Sequence, residues 1–350
     1  MARWRLCLAC LATALTLAAC TGSTQEHRAP SVTGASGTIL AAAGSGTGRV
    51  VGFGLPSESV GTIGALGAIP SATYTVTHAA APDPRGGIDL LSADRHGIVA
   101  VYRVSSDGSA SPYGPTLRIG TPKPYASLDV ANGVAAVADC RAVRILSVSR
   151  PAGWRTVAPG CWAALSPDAH SLAYSSDGAT IEEKQLPDGR PRTLVDAEQL
   201  SSAFPSGSPP PSLVGPPTWG PPGLAFTVRS GSNVAVLLLN GSRHLEPVLH
   251  EEYASTSQLP RMAWQPNGDR LAIADNMGPE GGVLRVFDPA TRELRAIGLD
   301  LLGFSEPVWS PDGRSLASLT SAKALIVFDV AGDWRLRVET TWSDLLGWEA

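Results

Sequence analysis

The sequence predicts an all-β fold, a seven-bladed β-propeller, from three observations. Short apolar runs alternate with turns rich in Gly and Pro, of which the 350-residue chain holds 37 and 29, and no long helical periodicity interrupts them. A segment built on Trp-Ser-Pro-Asp-Gly recurs, in its clearest copies at a spacing of 45 residues. Each copy is followed by a second apolar hairpin, so one period holds four short strands, the unit of a propeller blade.

The best copy is Val308-Trp309-Ser310-Pro311-Asp312-Gly313-Arg314-Ser315-Leu316-Ala317. Trp264-Gln265-Pro266-Asn267-Gly268-Asp269-Arg270-Leu271-Ala272 matches it position for position, 45 residues earlier by the two tryptophans. A further 45 residues upstream stands Trp219-Gly220-Pro221-Pro222-Gly223-Leu224-Ala225, shortened in its turn. Leu165-Ser166-Pro167-Asp168-Ala169-His170-Ser171-Leu172-Ala173 keeps Ser-Pro-Asp but has lost the tryptophan and the glycine, and Ala81-Pro82-Asp83-Pro84 and Ala131-Asn132-Gly133 are fainter echoes. Proline presets its own φ, Gly accepts positive φ, and Asp or Asn tolerates the turn beside it, so the segment reads as a hairpin. Its serines, aspartates and arginines are therefore architecture, and Trp219, Trp264 and Trp309 are expected to pack between blades.

Second hairpins are predicted over 49–64, 97–112, 141–157, 179–195, 232–248, 281–297 and 323–338. That makes seven against six first hairpins, which points to seven blades rather than six or eight. Blade 1 has a strand at Thr38 to Ala43 and a second hairpin but no inner strand before them. The chain closes on Thr341-Trp342-Ser343-Asp344-Leu345-Leu346-Gly347, which begins like another copy of the motif. This segment is expected to pair into blade 1 as its inner strand and lock the ring.

These repeats resemble the WD40-like repeats of TolB-type propellers, whose units read Trp-Ser-Pro-Asp-Gly followed by Leu-Ala. The resemblance spans residues 38–350 and is strongest in the last three blades. It implies the propeller fold and protein partners in a cell envelope; fold alone does not define a function. The separate N-terminal domain that accompanies the TolB propeller has no counterpart in these residues, which weakens any transfer of that protein's own partners.

Upstream of the repeats, Arg3 and Arg5 precede an uncharged run from Leu6 to Leu17 that closes on small residues. That order describes an export signal over 1–19, too short to span a bilayer, which needs about 20 apolar residues. Leu17-Ala18-Ala19-Cys20 resembles the lipobox of bacterial lipoproteins, implying a diacylglycerol on Cys20 and a location on the extracytoplasmic face of the cell membrane. Residues 20–37 are rich in Ser, Thr and Gly and read as a flexible tether. Loss of the two signal arginines takes the net charge from -4 to -6, which argues against nucleic acid as a partner and against basic docking on anionic lipid. Cys140 and Cys161 are then the two remaining cysteines, a disulfide candidate in an exported chain.

The search for chemistry is largely negative. No Gly-x-Ser-x-Gly elbow occurs, Gly44-Ser45-Gly46-Thr47-Gly48 lacks the Lys and the helix of a phosphate loop, and the six histidines show no ligand spacing. Adjacent acids at Glu182-Glu183 and Glu251-Glu252 point to opposite faces of a strand and read as solvated. No catalytic residue, metal ligand or cofactor site is assigned. The loops that gather on one face around the channel carry the binding candidates Lys123, Tyr125, Arg261, Asp275, Asn276, Glu280 and Glu306, and a proline-rich insert at 196–217 belongs to the same face. The expected function is a non-catalytic protein-binding or scaffolding module. The alternative is a hydrolase of lactonase or phosphoesterase type with a divalent cation at the channel mouth, drawing on Asp275, Asn276, Glu280 and Glu306. Sugar binding would need exposed aromatics there, for which Tyr125 is the one candidate.

Overall fold

A computed structural model describes residues 37–43, 49–55, 59–65, 77–82, 88–93, 97–104, 110–119, 127–147, 152–252, 259–266, 268–278, 281–300, 303–331 and 334–349. The strands form seven antiparallel sheets, each built in the order inner, second, third, outer. Blade 2 is Thr77–Pro82, Ile88–Ala93, Ile98–Val104 and Ala110–Arg118; blade 3 is Ser127–Ala131, Val134–Ala138, Val143–Ser147 and Arg155–Ala158. Blade 4 is Trp162–Leu165, Ser171–Ser175, Ile181–Gln185 and Pro191–Val195. Blade 5 has the inner strand Thr218–Gly220 followed by Gly223–Ser230, Asn233–Asn240 and Leu245–Glu252, with Ser212–Leu213 as an extra strand beside the second. Blade 6 is Arg261–Trp264, Leu271–Gly278, Gly281–Asp288 and Glu293–Asp300; blade 7 is Val308–Trp309, Ser315–Leu319, Ala324–Asp329 and Trp334–Glu339.

Blade 1 takes its inner strand from the C-terminal segment. Trp342–Glu349 pairs antiparallel with Gly37–Ala43, which continues into Arg49–Leu55 and Ser59–Ala65. The seven inner strands touch one another in cyclic order, so the ring is closed. The expected closure is present, but its register differs from the motif reading. Trp342 opens its strand, whereas Trp309 and Trp264 end theirs, and Ser343 and Asp344 lie within the strand rather than in a turn. It is Trp348, paired with Ile39, that takes the place Trp309 holds opposite Leu316 and Trp264 opposite Leu271. The blade 1 motif is thus divided between the two ends of the chain.

Hydrophobic burial sits between blades, because each sheet is apolar on both faces. Ile39, Phe53 and Leu55 of blade 1 pack with Leu325, Val327 and Leu336 of blade 7 around Trp342 and Trp348. Equivalent clusters join blades 4 and 5, 5 and 6, and 6 and 7. The tryptophans stitch these seams as expected: the Trp309 indole donates to the Ala263 carbonyl at 2.9 Å and Trp264 to Thr218 at 3.1 Å. Gly220 makes room for the second contact, since a Cβ there would lie 2.3 Å from the Trp264 ring.

The Ser-Pro-Asp segments are self-satisfied turns. Ser310 Oγ donates to Asp312 at 2.6 Å and accepts from the Ser315 amide at 2.9 Å, while the Arg314 amide donates to Asp312 at 3.0 Å. Gly313 supplies the required positive φ of 68°. Ser166, Asp168 and His170 of blade 4 repeat the arrangement. Every such turn lies on what we call the lower face; the chain enters each inner strand from the upper face. Among the described residues no helix is long and apolar enough to cross a membrane.

Candidate binding face

Strand direction places the loops before the inner strands, and those between second and third strands, together on the upper face. Over blades 5 to 7 this face is built by the long second strand of blade 6, which runs to Gly278 and lifts Asp275 and Asn276 to its upper end. Asn276 spends both ends of its amide on one residue. Its Oδ1 accepts from the Phe304 amide at 2.6 Å and its Nδ2 donates to the Phe304 carbonyl at 2.6 Å. That fork holds the segment leading into blade 7, on which Glu306 sits. A Cβ at Gly282 would lie 2.4 Å from Gly303, so the same segment also depends on a bare backbone below it.

Asp275 is 2 % exposed and faces Arg285, whose Nε is 3.6 Å from its Oδ2. Arg285 in turn lies 3.9 Å from Glu251 on the outer strand of blade 5. One guanidinium therefore stands between carboxylates of two blades. Arg261 and Glu306 form an exposed pair at 3.9 Å across the mouths of blades 6 and 7. Arg261, Asn276 and Glu306 share one region of the upper face, but Asp275 and Asn276 lie within the second strand of blade 6 rather than in the expected loop, and Asp275, paired with Val283, is buried there. Among the described residues no group of three or more His, Cys, Asp or Glu could hold a metal ion. Lys123, Tyr125 and Glu280 lie outside the described residues, as does Cys20.

The insert at 196–217 reaches the same face above blades 4 and 5, in a more ordered form than its composition suggests. Ala197–Ser202 is a short helix with a capping box, in which Asp196 accepts from the Gln199 amide at 2.8 Å and Gln199 accepts from the Asp196 amide at 3.0 Å. The Asp-x-x-Gln spacing in the sequence is the signal that announces it. Leu200, Phe204 and Leu213 are buried against the core of blades 4 and 5, and Phe204 meets the His250 ring edge-on at 5.6 Å. Ser201, Pro205, Ser206 and Pro210 remain exposed. Beside it, Cys140 and Cys161 are joined in a disulfide that ties the upper loop of blade 3 to the start of blade 4.

Two further polar groups carry structure rather than chemistry. Glu183 is 4 % exposed, contrary to the solvated reading of its acid pair. It accepts from Ser171 at 2.9 Å, from Gln185 at 3.1 Å and from Arg192 at 2.6 Å, because its side chain turns into the sheet where those donors meet it. Asp129, on the inner strand of blade 3, accepts from the Val130 amide at 2.8 Å and from the Leu165 amide of blade 4 at 2.6 Å. Burial pushes its carboxyl up to about 6 despite those two bonds. Ser166, Asp168 and His170 have the residue types of a hydrolase relay, yet serine and histidine both contact the aspartate, at 2.5 and 3.2 Å. A relay needs serine on histidine. The bonds from Ser166 and the His170 amide instead hold Asp168 below the ordinary carboxylate range.

Fold and face together define a seven-bladed β-propeller of WD40-like, TolB-like architecture. Among solved structures, TolB from Acinetobacter baumannii is similar over 92% of this chain and 68% of that one, at 12% identity and a TM-score of 0.50. The periplasmic gluconolactonase PpgL of Pseudomonas aeruginosa is similar over 90% and 99%, at 15% identity and 0.54. The Cps50 (Swd1) β-propeller domain of Myceliophteria thermophila is similar over 78% and 90%, at 15% identity and 0.52. At such identities the likeness is one of fold. No family model and no curated protein matches the sequence.

Proposed function

We propose that this chain is a lipid-anchored, extracytoplasmic propeller whose upper face binds an envelope protein without catalysis. The observation that carries the reading is how its described candidate reagents are placed: Asn276 is hydrogen-bonded to Phe304, Asp275 lies 3.6 Å from Arg285, and Glu306 lies 3.9 Å from Arg261. A hydrolase of lactonase or phosphoesterase type would need about six oxygens converging on one cation. Among the described residues these carboxylates form no cluster of three or more ligand groups. The similarity to a gluconolactonase supports a shared fold and adds no donor set. Anchoring is supported by Leu17-Ala18-Ala19-Cys20 and the uncharged run before it. A net charge of -4 argues against nucleic acid as a partner.

The test is photo-crosslinking in the native membrane from the exposed Ser206 on the insert and from the exposed Arg190 on the lower face. A discrete protein adduct from Ser206 and none from Arg190 is expected. Absence of any protein adduct from the upper face, together with cation-dependent hydrolysis of lactones or phosphate esters by the purified chain, would overturn the reading.

A further inference from the structure

The seam between blades 5 and 6 changes character along its height. Its lower part is apolar, with Ala225, Val236, Leu238, Leu271, Ile273 and Phe287 buried together. Side chains alternate along a strand, so two residues above Ala225 the same face of blade 5 presents Thr227, and two above Ile273 the facing sheet presents Asp275. Arg285, opposite Ile273 in the sheet of blade 6, turns to the same seam, where it lies 3.6 Å from Asp275 and 3.9 Å from Glu251 of blade 5. The tryptophan repeats set the heights. Leu224 stands opposite Trp219 as Leu271 does opposite Trp264, so Thr227 falls between the levels of Ile273 and Asp275.

Two polar atoms in this part of the seam lack a hydrogen-bond partner among the described residues. Thr227 is 1 % exposed and its Oγ1 is one of them; Arg285 Nε, likewise buried, is the other. Leaving a buried donor and a buried acceptor unmade is costly. Stacked sheets stand about 10 Å apart, a gap that Leu271 and Phe287 fill lower down and that a threonine facing an aspartate is too short to cross. We infer that an internal water molecule occupies the upper part of this seam, accepting from Arg285 Nε and donating to the Asp275 carboxylate and to Thr227 Oγ1. These residues supply the polar partners that a buried water needs, about three on average.

The charges fit a neutral guest. A cation here would meet the Arg285 guanidinium and an anion would meet Asp275 and Glu251, whereas water accepts from the first and donates to the others. Side-chain exposure falls along the row, from 42 % at Glu251 to 24 % at Arg285 and 3 % at Asp275. Solvent therefore reaches the site from the outer edge of the seam, past Glu251. Asp275 gains a role in joining two blades rather than in surface chemistry, and that role is independent of the partner proposed for the upper face.

Thr227→Val exchanges the hydroxyl for a methyl group of the same size. If water is bonded to that hydroxyl, the midpoint of thermal unfolding of the full chain falls by about 2–4 °C. A stranded hydroxyl would be relieved by the same change, so an unchanged or raised midpoint overturns the inference. Arg285→Lys keeps the cation and removes the Nε–H donor, and in that background Thr227→Val should cost clearly less. Equal losses in the two backgrounds would show that Thr227 and Arg285 share no guest. A crystal structure gives the direct reading: a solvent peak about 2.7–3.2 Å from both Thr227 Oγ1 and Arg285 Nε is expected, and a direct bond between Thr227 and Asp275, or a gap without density, overturns it.

Discussion

The Trp309 indole nitrogen lies 2.9 Å from the carbonyl oxygen of Ala263, one inner strand bonding sideways to the next across a blade seam. Trp309 is 5 % exposed and belongs to the core of blades 6 and 7, so it contributes both an apolar ring and a bond to a backbone acceptor. Replacing it with Phe keeps the ring and strands that acceptor, at about 1–3 kcal/mol. Trp309→Ala also opens a cavity and costs about 3–5 kcal/mol. Chemical denaturation of the two variants should rank them in that order, and equal losses would show that the bond adds nothing.

The closing strand should behave as a clasp. Deletion of residues 341–350 removes Trp342, Leu345 and Trp348, each nearly buried in the seam between blades 1 and 7. Thermal unfolding of the truncated chain should lose its cooperative transition or shift it far down. Trp348→Ala, which retains the strand, should cost about 3–5 kcal/mol. An unchanged midpoint in both variants would mean that the ring closes elsewhere.

Asp129 gives the ring a pH dependence. Its ordinary value of 3.8 is raised to about 6 by burial, so the folded state holds a proton that the unfolded state releases. Stability contributed by the group is full below the unfolded value and is lost as pH rises through about 6, by up to about 3 kcal/mol. Midpoints measured from pH 4 to pH 7 should therefore decline less in Asp129→Asn than in the wild type. Parallel profiles would place the titrating group elsewhere.

Asn276 separates architecture from a cation site. Asn276→Asp sets a carboxylate against the Phe304 carbonyl, which Nδ2 contacts at 2.6 Å, and should lower the melting temperature whether or not calcium is present. The cost is about 1–3 kcal/mol for the unpaired buried carbonyl. Millimolar calcium should leave the wild-type midpoint where it is. Rescue of the Asp variant by calcium is the result expected of an oxygen-rich cation site, and would favour the hydrolase reading.

Much of this protein is legible in one dimension because its fold is a repeat. Strand, turn and tryptophan recur at a fixed spacing, and Pro-Asp-Gly forms its turn from local φ preferences alone, so copies such as Trp264 and Trp309 identify one another without any distant contact. The helix in the insert was also accessible, through Asp196 and Gln199. The position of Arg261, Asn276 and Glu306 on one face followed from strand order, which each hairpin reverses.

Partnership between side chains from different blades was decided only by the tertiary structure. Arg285 gives no sign in sequence that it stands between Asp275 and Glu251, because that contact joins two sheets at a seam. Glu183 looked solvated beside Glu182, until folding turned it toward Ser171 and Arg192. The tryptophan of blade 1 was hidden for the same reason. Trp348 and Ile39 form one motif whose halves lie at opposite ends of the chain, and closure of the ring is what brings them into register. Local conformational preference fixes the blades; burial between blades, which depends on all of them at once, decides which polar groups meet.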